Sequence, residues 1–138
     1  MRRSFGFVAA LILAGILAPG CEEATPPPDP TPTPDPVTER FSGTLTVNGA
    51  ITFPFFANRA GTVSARLVTV APDATTVLGL SIGTLFAGQC QTVIANDNAT
   101  QNATVTGQAS AQGSLCARVY DVGRLTGSIT FEITVDHP

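Results

Sequence analysis

The end of the chain carries the longest uninterrupted alternation of apolar and polar residues in the sequence. Ile129, Phe131, Ile133 and Val135 alternate with threonine and glutamate, which is the period of a strand that buries one face. Similar short runs recur through residues 39–138, where valine, isoleucine and threonine supply 30 of 100 residues. No window there has a helical stripe, and β-branched residues favour strands. The sequence therefore predicts an all-β domain over residues 39–138.

Turns rich in glycine, proline and asparagine separate these runs. Seven or eight short strands divided in this way predict a two-layer antiparallel β-sandwich, jelly-roll or immunoglobulin-like, rather than a parallel α/β fold. Asn48-Gly49 predicts a hairpin between the first two strands, and Pro54 places the second strand at an edge or at a bulge. The last strand is predicted to be central. The predicted strands are 41–47, 51–55, 62–70, 78–82, 89–94, 104–108, 115–120 and 129–135.

The first 20 residues read as an export signal. Arg2 and Arg3 precede a 14-residue apolar run, which has the order of a secretory signal peptide and is shorter than the roughly 18 to 20 residues of a permanent span. The following Leu17-Ala18-Pro19-Gly20-Cys21 resembles the lipobox of bacterial lipoproteins, with Ala18 and Pro19 departing from its usual pattern. That resemblance implies cleavage of residues 1–20 and acylation of Cys21, by groups such as palmitate. Alternatives are twin-arginine export, and a conventional cut near Gly20 that leaves Cys21 a free thiol.

This resemblance also implies a location. An acylated Cys21 would anchor the exported chain to a membrane of the bacterial cell envelope, at the outer membrane or the cell surface. Several acyl chains hold a protein firmly, whereas one holds it weakly. No other membrane element is then needed.

Residues 21–38 form a proline-rich linker. Seven of the eleven prolines lie between Pro26 and Pro36, and a run of this kind favours extended, solvated polyproline II. At about 3.1 Å per residue it would hold the domain roughly 30 to 35 Å from the anchor. The alternative, a ligand for a proline-recognising module, is disfavoured by Asp29 and Asp35 and by the absence of a neighbouring arginine.

Two cysteines remain once Cys21 is assigned to lipid. Cys90 and Cys116 form an even pair in an exported, oxidising setting, so a disulfide is predicted. A metal site would need two more ligands, and His137 is the only histidine, at a C-terminus expected to fray. No metal and no cofactor are therefore predicted.

Three motifs of the folded block resemble the bacterial pre-peptidase C-terminal domain family, small β-sandwiches appended to secreted proteins. They are Phe41-Ser42-Gly43-Thr44-Leu45, Gly61-Thr62-Val63-Ser64-Ala65, and Gly113-Ser114-Leu115-Cys116-Ala117-Arg118-Val119-Tyr120-Asp121. The sequence departs from the family by its cysteine pair, by the lack of a tyrosine before the Leu115 strand, and by having no attached peptidase. The resemblance implies an accessory or binding module without catalysis of its own.

The composition of residues 39–138 agrees with a non-catalytic module, because few of their side chains are of the types used in catalysis. The chain has no lysine and no tryptophan, and five arginines face six acids in this domain, so no basic patch for nucleic acid is expected. Asp121 and Glu132 are the candidates for a hydrolytic acid pair. Glu132 is expected on a solvated strand face instead. The chain is predicted not to be an enzyme.

Asp97, Asn98 and Asp121 offer oxygen ligands of the kind that calcium uses, and are weak candidates for such a site. Asn and Asp at such positions more often make turns through backbone hydrogen bonds. The sequence thus predicts a non-catalytic envelope lipoprotein whose sandwich contacts an envelope protein or a glycan. The alternative is a structural or spacing domain with no specific ligand, with a hydrolase well behind.

Overall fold

The computed structural model describes Asp29 and residues 31–138. The prediction of an all-β fold is confirmed, since all regular structure in these residues is β-strand. Residues 33–138 form one compact unit. The strands are β1 (Val37–Leu45), β2 (Ala50–Ala57), β3 (Gly61–Ala71), β4 (Leu78–Phe86), β5 (Gln89–Ala99), β6 (Thr104–Ala109), β7 (Gly113–Tyr120) and β8 (Ile129–His137).

The eight strands form two antiparallel sheets of four, as the predicted β-sandwich requires. The first sheet has the order β1-β8-β3-β6 and the second has the order β2-β7-β4-β5. Strand β8 lies between β1 and β3, so the central place predicted for the last strand is confirmed. Strand β2 lies at an edge, as predicted from Pro54, because a proline cannot donate a ladder hydrogen bond.

The predicted Asn48-Gly49 hairpin is wrong. Strands β1 and β2 belong to different sheets, and the turn between them carries the chain across the sandwich. Asn48 has a φ of 55° and the amide of Gly49 donates to the carbonyl of Thr46 at 2.9 Å, but Gly49 has no positive φ. A type I′ hairpin needs positive φ at both central residues. The two strands instead meet face to face, with the Phe41 and Phe53 rings stacked at 5.0 Å between centroids.

The hairpin with that turn geometry joins β4 and β5. Ala87 and Gly88 both have positive φ, at 50° and 76°, and Phe86 pairs with Gln89 across the turn. Strand β5 then runs to Ala99, so the prediction that it ends before Asn96-Asp97-Asn98 is wrong. An edge strand takes its backbone hydrogen bonds from one neighbour and can expose both faces, so a polar sequence does not end it.

The core fills the space between the sheets with inward-facing residues that alternate along most strands, while β5 contributes only Ala99. The inward-facing side chains of β8, including Phe131 at 3% exposure and Ile133 at 0%, pack among the others. Fully buried large side chains from both sheets are Leu45, Leu67, Leu78, Leu80, Val63, Val119 and Val135. Because successive strand residues point to opposite faces, the intervening residues define the two outer faces.

Candidate functional site

The outer face of the second sheet carries the polar side chains that lie beside the disulfide and the two polar depressions described below. Ala117 and Val119 of β7 are buried inside, so Arg118 and Tyr120 point outwards. Arg118 lies opposite Thr52 of β2 and Ser81 of β4 in the strand register. We call this surface the Tyr120 face, defined by Thr52, Ser81, Cys116, Arg118 and Tyr120.

Tyr120 is held in place at the end of β7, on the same face as Arg118. Its ring lies so close to Gly79 that a Cβ at that position would come within 2.2 Å of the ring carbons. Its hydroxyl donates to the Asp97 carboxylate of β5, and the Arg118 guanidinium lies 5.5 Å from the ring centroid. A cation at this distance over an aromatic ring is attracted by its quadrupole. The tyrosine is thus fixed by β4, β5 and β7 together.

Two open depressions flank the Arg118–Tyr120 pair. One, of about 430 Å³, is lined by Asp97, Asn98, Tyr120, Val122 and Arg124. The other, of about 280 Å³, is lined by Ala50, Thr52, Gly88, Gln89, Cys90 and Arg118. Strands β2 and β5 are opposite edges of the sheet, so the end of the β4–β5 hairpin must curl over the Tyr120 face to share a depression with β2.

The predicted disulfide is confirmed, and it holds the end of the β4–β5 hairpin over the Tyr120 face. Cys90 and Cys116 are bridged, with an S–S distance of 2.06 Å and a Cα–Cα distance of 5.8 Å. The bond links β5 to β7 past the intervening β4. This approach needs Gly83, because a Cβ there would lie 2.0 Å from the Gln91 carbonyl oxygen. A glycine in a strand often marks such a close backbone approach.

Replacing Gly83 with alanine is therefore expected to displace β5 and to lower the free energy of unfolding by about 1 to 3 kcal/mol. Gly107→Ala is a matched control in β6, because a Cβ there meets only the Ile94 methyl group at an ordinary 3.6 Å. Urea unfolding of both variants measures the difference. Equal stability of the two variants would contradict the close approach of β5 to β4.

The three calcium candidates are only partly brought together. Asp97 and Asn98 line the larger depression, but the Asp97 carboxylate accepts the Tyr120 hydroxyl. The Asp121 carboxylate instead closes a turn, accepting the backbone amides of Gly123 at 2.8 Å, Arg124 at 2.9 Å and Leu125 at 3.1 Å through Oδ1. Within residues 31–138 no three histidine, cysteine or acidic side chains are grouped as a metal site would need.

Asp121 also joins two loops, because its Oδ2 accepts the backbone amide of Asn48 at 2.8 Å. That hydrogen bond is the main reason why the pKa of Asp121 lies below its ordinary 3.8, and the turn amides add to it against an opposing effect of burial. A lowered carboxyl pKa stabilises the fold above the unfolded-state pKa, and this stability is lost as the pH falls through the lower folded-state value.

Asp121→Asn is accordingly expected to be less stable than the wild type at pH 6, and the gap should narrow as the pH falls below about 4. Urea unfolding at a series of pH values between 2 and 6 measures it. Asp35→Asn, in the linker, serves as the control and should show no gap at any pH. A constant gap for Asp121→Asn would show that its charge does not carry the stability.

His137 does not fray, and that prediction is wrong. The residue is 2% exposed, its Nε2 lies 2.9 Å from Glu39 Oε1, and its ring centroid is 5.1 Å from that of Phe55. Strand β8 includes His137, which pairs with Val37. The signal was present in the sequence, since residue 137 continues the inward-facing series that runs through Val135.

The other residues predicted to bear chemistry take structural positions. Glu132 forms an ion pair with Arg40 at 2.7 Å on the first sheet, whereas Asp121 follows the last residue of β7 in the second sheet. Cys21, the predicted lipidation site, lies outside the described residues. Sequence reasoning named Tyr120 and Asp97 separately but missed their contact, which depends on β4 lying between their strands.

Tyr120 reports directly on this face because it is the only tyrosine in the chain. Burial, followed by the hydrogen bond to Asp97 and its charge, raises the pKa of Tyr120 to about 12, and the nearby Arg118 opposes this. The stability gained from the raised pKa is fully present below the ordinary value of 10 and is lost as the pH rises through about 12.

Spectrophotometric titration of the phenol is expected to give a midpoint near 12. Asp97→Asn should lower the midpoint without restoring the ordinary value, because burial is the larger cause. Asp73→Asn is the control, since Thr75 is the one partner of its carboxylate within the described part of the chain. A wild-type midpoint near 10 would contradict the Tyr120–Asp97 contact.

No protein-family model matches this sequence, and none of the curated proteins searched matches it. Among the described residues, no helix is long and apolar enough to cross a membrane.

Proposed function

We propose that the chain is an exported, non-catalytic contact module that binds a glycan of the cell envelope through the Tyr120 face. The observation that carries this is the pair of open polar depressions on either side of the Arg118–Tyr120 cation–π pair. Guanidinium, hydroxyl, amide and carboxylate groups line them, and these are the groups that bind sugar hydroxyls. A tyrosine ring adds an amphipathic surface.

A buried polar group lies beneath the same face and outside the lining of both depressions. The Ser81 hydroxyl is buried, lies opposite Arg118, and is the one buried side-chain polar atom without a hydrogen-bond partner among the described residues. Such atoms are rare in folded proteins and call for an explanation by function or bound water. The groups that a hydrolase would need are engaged elsewhere, since His137 binds Glu39 and Asp121 binds four backbone amides.

The second part of the proposal is a tether at Cys21. It rests on the lipobox-like Leu17–Cys21 segment and on the proline-rich run that follows. Residues 31–36 have no regular secondary structure and are exposed, as a spacer requires. Mass spectrometry of the mature protein is expected to find acyl chains on Cys21, and an unmodified cysteine would contradict the lipoprotein.

Binding is tested with the mature protein carried on liposomes. The ligand is the envelope glycan of the cell that makes the protein. Wild type should retain glycan, and the double variant Gln89→Ala, Arg118→Ala should not. Arg40→Ala, which removes an exposed arginine from the first sheet, is the matched control and should bind as wild type does. Retention that is absent, or equal in all three proteins, would contradict the proposed surface.

A protein partner is the second candidate, favoured by a different observation. Phe86, Val93 and Ile94 of the β4–β5 hairpin are exposed at 68%, 75% and 39%, and exposed apolar side chains are a feature of protein contact surfaces. Capture of an envelope protein that Val93→Asp abolishes, with no glycan retained, would favour this candidate. Retention of neither would favour a spacing domain without a specific ligand.

A further inference from the structure

Three of the six residues that line the smaller depression beside Arg118 carry side-chain hydrogen-bond donors. Thr52 contributes a hydroxyl, Gln89 an amide and Arg118 a guanidinium, and no carboxylate lines it. One wall is the Gly88–Cys90 segment, which the disulfide fixes to β7. A site with donors on several sides and a fixed wall is pre-organised for an acceptor, so little conformational entropy is lost on binding.

Three arginines near the sandwich have a side-chain partner, whereas the partly buried Arg118 and the exposed Arg124 have none among the described residues. Arg40 binds Glu132, Arg59 binds the Pro34 carbonyl, and Arg66 binds Asn102. Arg118 has no ion pair or side-chain hydrogen bond among the described residues, although it is partly buried against Tyr120. Burying a charge without a partner is costly, and an opposite charge in good geometry repays that cost.

We infer that this depression binds the carboxylate of an acidic saccharide, a uronic acid, through Arg118. This inference rests on the proposed function and names its ligand class. A guanidinium matches a carboxylate with two parallel hydrogen bonds, which adds specificity as well as affinity. Thr52 and Gln89 supply further donors to the same oxygen atoms.

The adjoining depression explains why a saccharide fits better than a peptide. Asp97, Asn98 and Arg124 line it with hydrogen-bonding groups, and Val122 is its one aliphatic side chain. Sugar hydroxyls both donate and accept, so they suit this mixture, whereas a peptide side chain usually needs an apolar pocket. A chain of sugars placed across Tyr120 would reach from one depression to the other.

The test is calorimetric titration of the mature protein with galacturonate and glucuronate oligomers, alongside their methyl esters. Acidic oligomers should bind, the uncharged esters should bind about tenfold more weakly or not at all, and added salt should weaken binding. Arg118→Gln should lose binding about tenfold, while Arg40→Gln should not. The titration midpoint of the Tyr120 phenol in Arg118→Gln should stay far above 10 only if this face is folded. This titration therefore checks that the variant folds.

Each other outcome overturns the inference in a distinct way. Equal binding of acids and esters would reject the carboxylate and leave the glycan-binding proposal standing. Equal binding by Arg118→Gln would move the site elsewhere. Binding of a short peptide through its C-terminal carboxylate, but of neither acidic oligomer, would reject the saccharide, and no binding of any probe would reject this ligand class.

Discussion

Phe131→Ala is expected to lower the free energy of unfolding by about 3 to 5 kcal/mol, the range for removing a buried phenylalanine from a core. Phe131 is 3% exposed, lies on the central strand of the first sheet, and packs edge-to-face on Phe53 with centroids 6.0 Å apart. The loss combines the apolar surface no longer buried with the cavity that remains, because neighbours in a close-packed core relax only in part.

Phe56→Ala is the matched control in the same experiment, since this side chain is 48% exposed on the edge strand β2. We expect it to change the unfolding free energy by less than about 1 kcal/mol. Urea unfolding followed by circular dichroism measures both variants. A silent Phe131→Ala, or equal losses in the two variants, would contradict the two-sheet core.

Removing the disulfide by Cys90→Ala with Cys116→Ala is expected to cost about 3.5 kcal/mol, the chain-entropy value for a 26-residue separation. In the structure the bond has a second effect, because it holds the end of the β4–β5 hairpin over the Tyr120 face. The double variant should therefore also change the environment of Tyr120, and its titration midpoint should fall from about 12.

The control is a Cys21→Ser chain with the bridge intact, unfolded without reductant. It should show no reactive thiol, whereas the same chain after reduction should show two. Two thiols before reduction would contradict the bridge. A double variant as stable as the wild type would mean that the disulfide constrains neither the unfolded chain nor the hairpin.

The sequence predicted the strands well and their pairing less well, for a physical reason. Alternation identifies residues that face a core, and β8 and Pro54 constrain where a strand can lie in its sheet. Alternation does not distinguish two strands paired edge to edge from two strands facing each other across a core. The Asn48-Gly49 motif suggested the first, and the Phe41–Phe53 stack shows the second. The turn at Ala87-Gly88 was missed because alanine rarely takes positive φ.

The candidate site was harder to predict because tertiary contacts create it. Tyr120 and Asp97 are 23 residues apart and belong to strands that flank β4. Their contact needs the space above Gly79, and the curled hairpin needs the space above Gly83. Nothing local distinguishes these glycines from turn glycines. The disulfide was predictable because two cysteines in an exported chain have few alternatives.

The most direct test of the account is to map glycan contacts on the mature protein by amide chemical shifts. Spectra recorded with and without the envelope glycan are expected to change at Gln89, Arg118 and Tyr120, and to stay constant on the first sheet around Arg40. Changes confined to Val93 and its neighbours at the exposed hairpin edge, or no changes at any amide, would contradict the Tyr120 face as the binding surface.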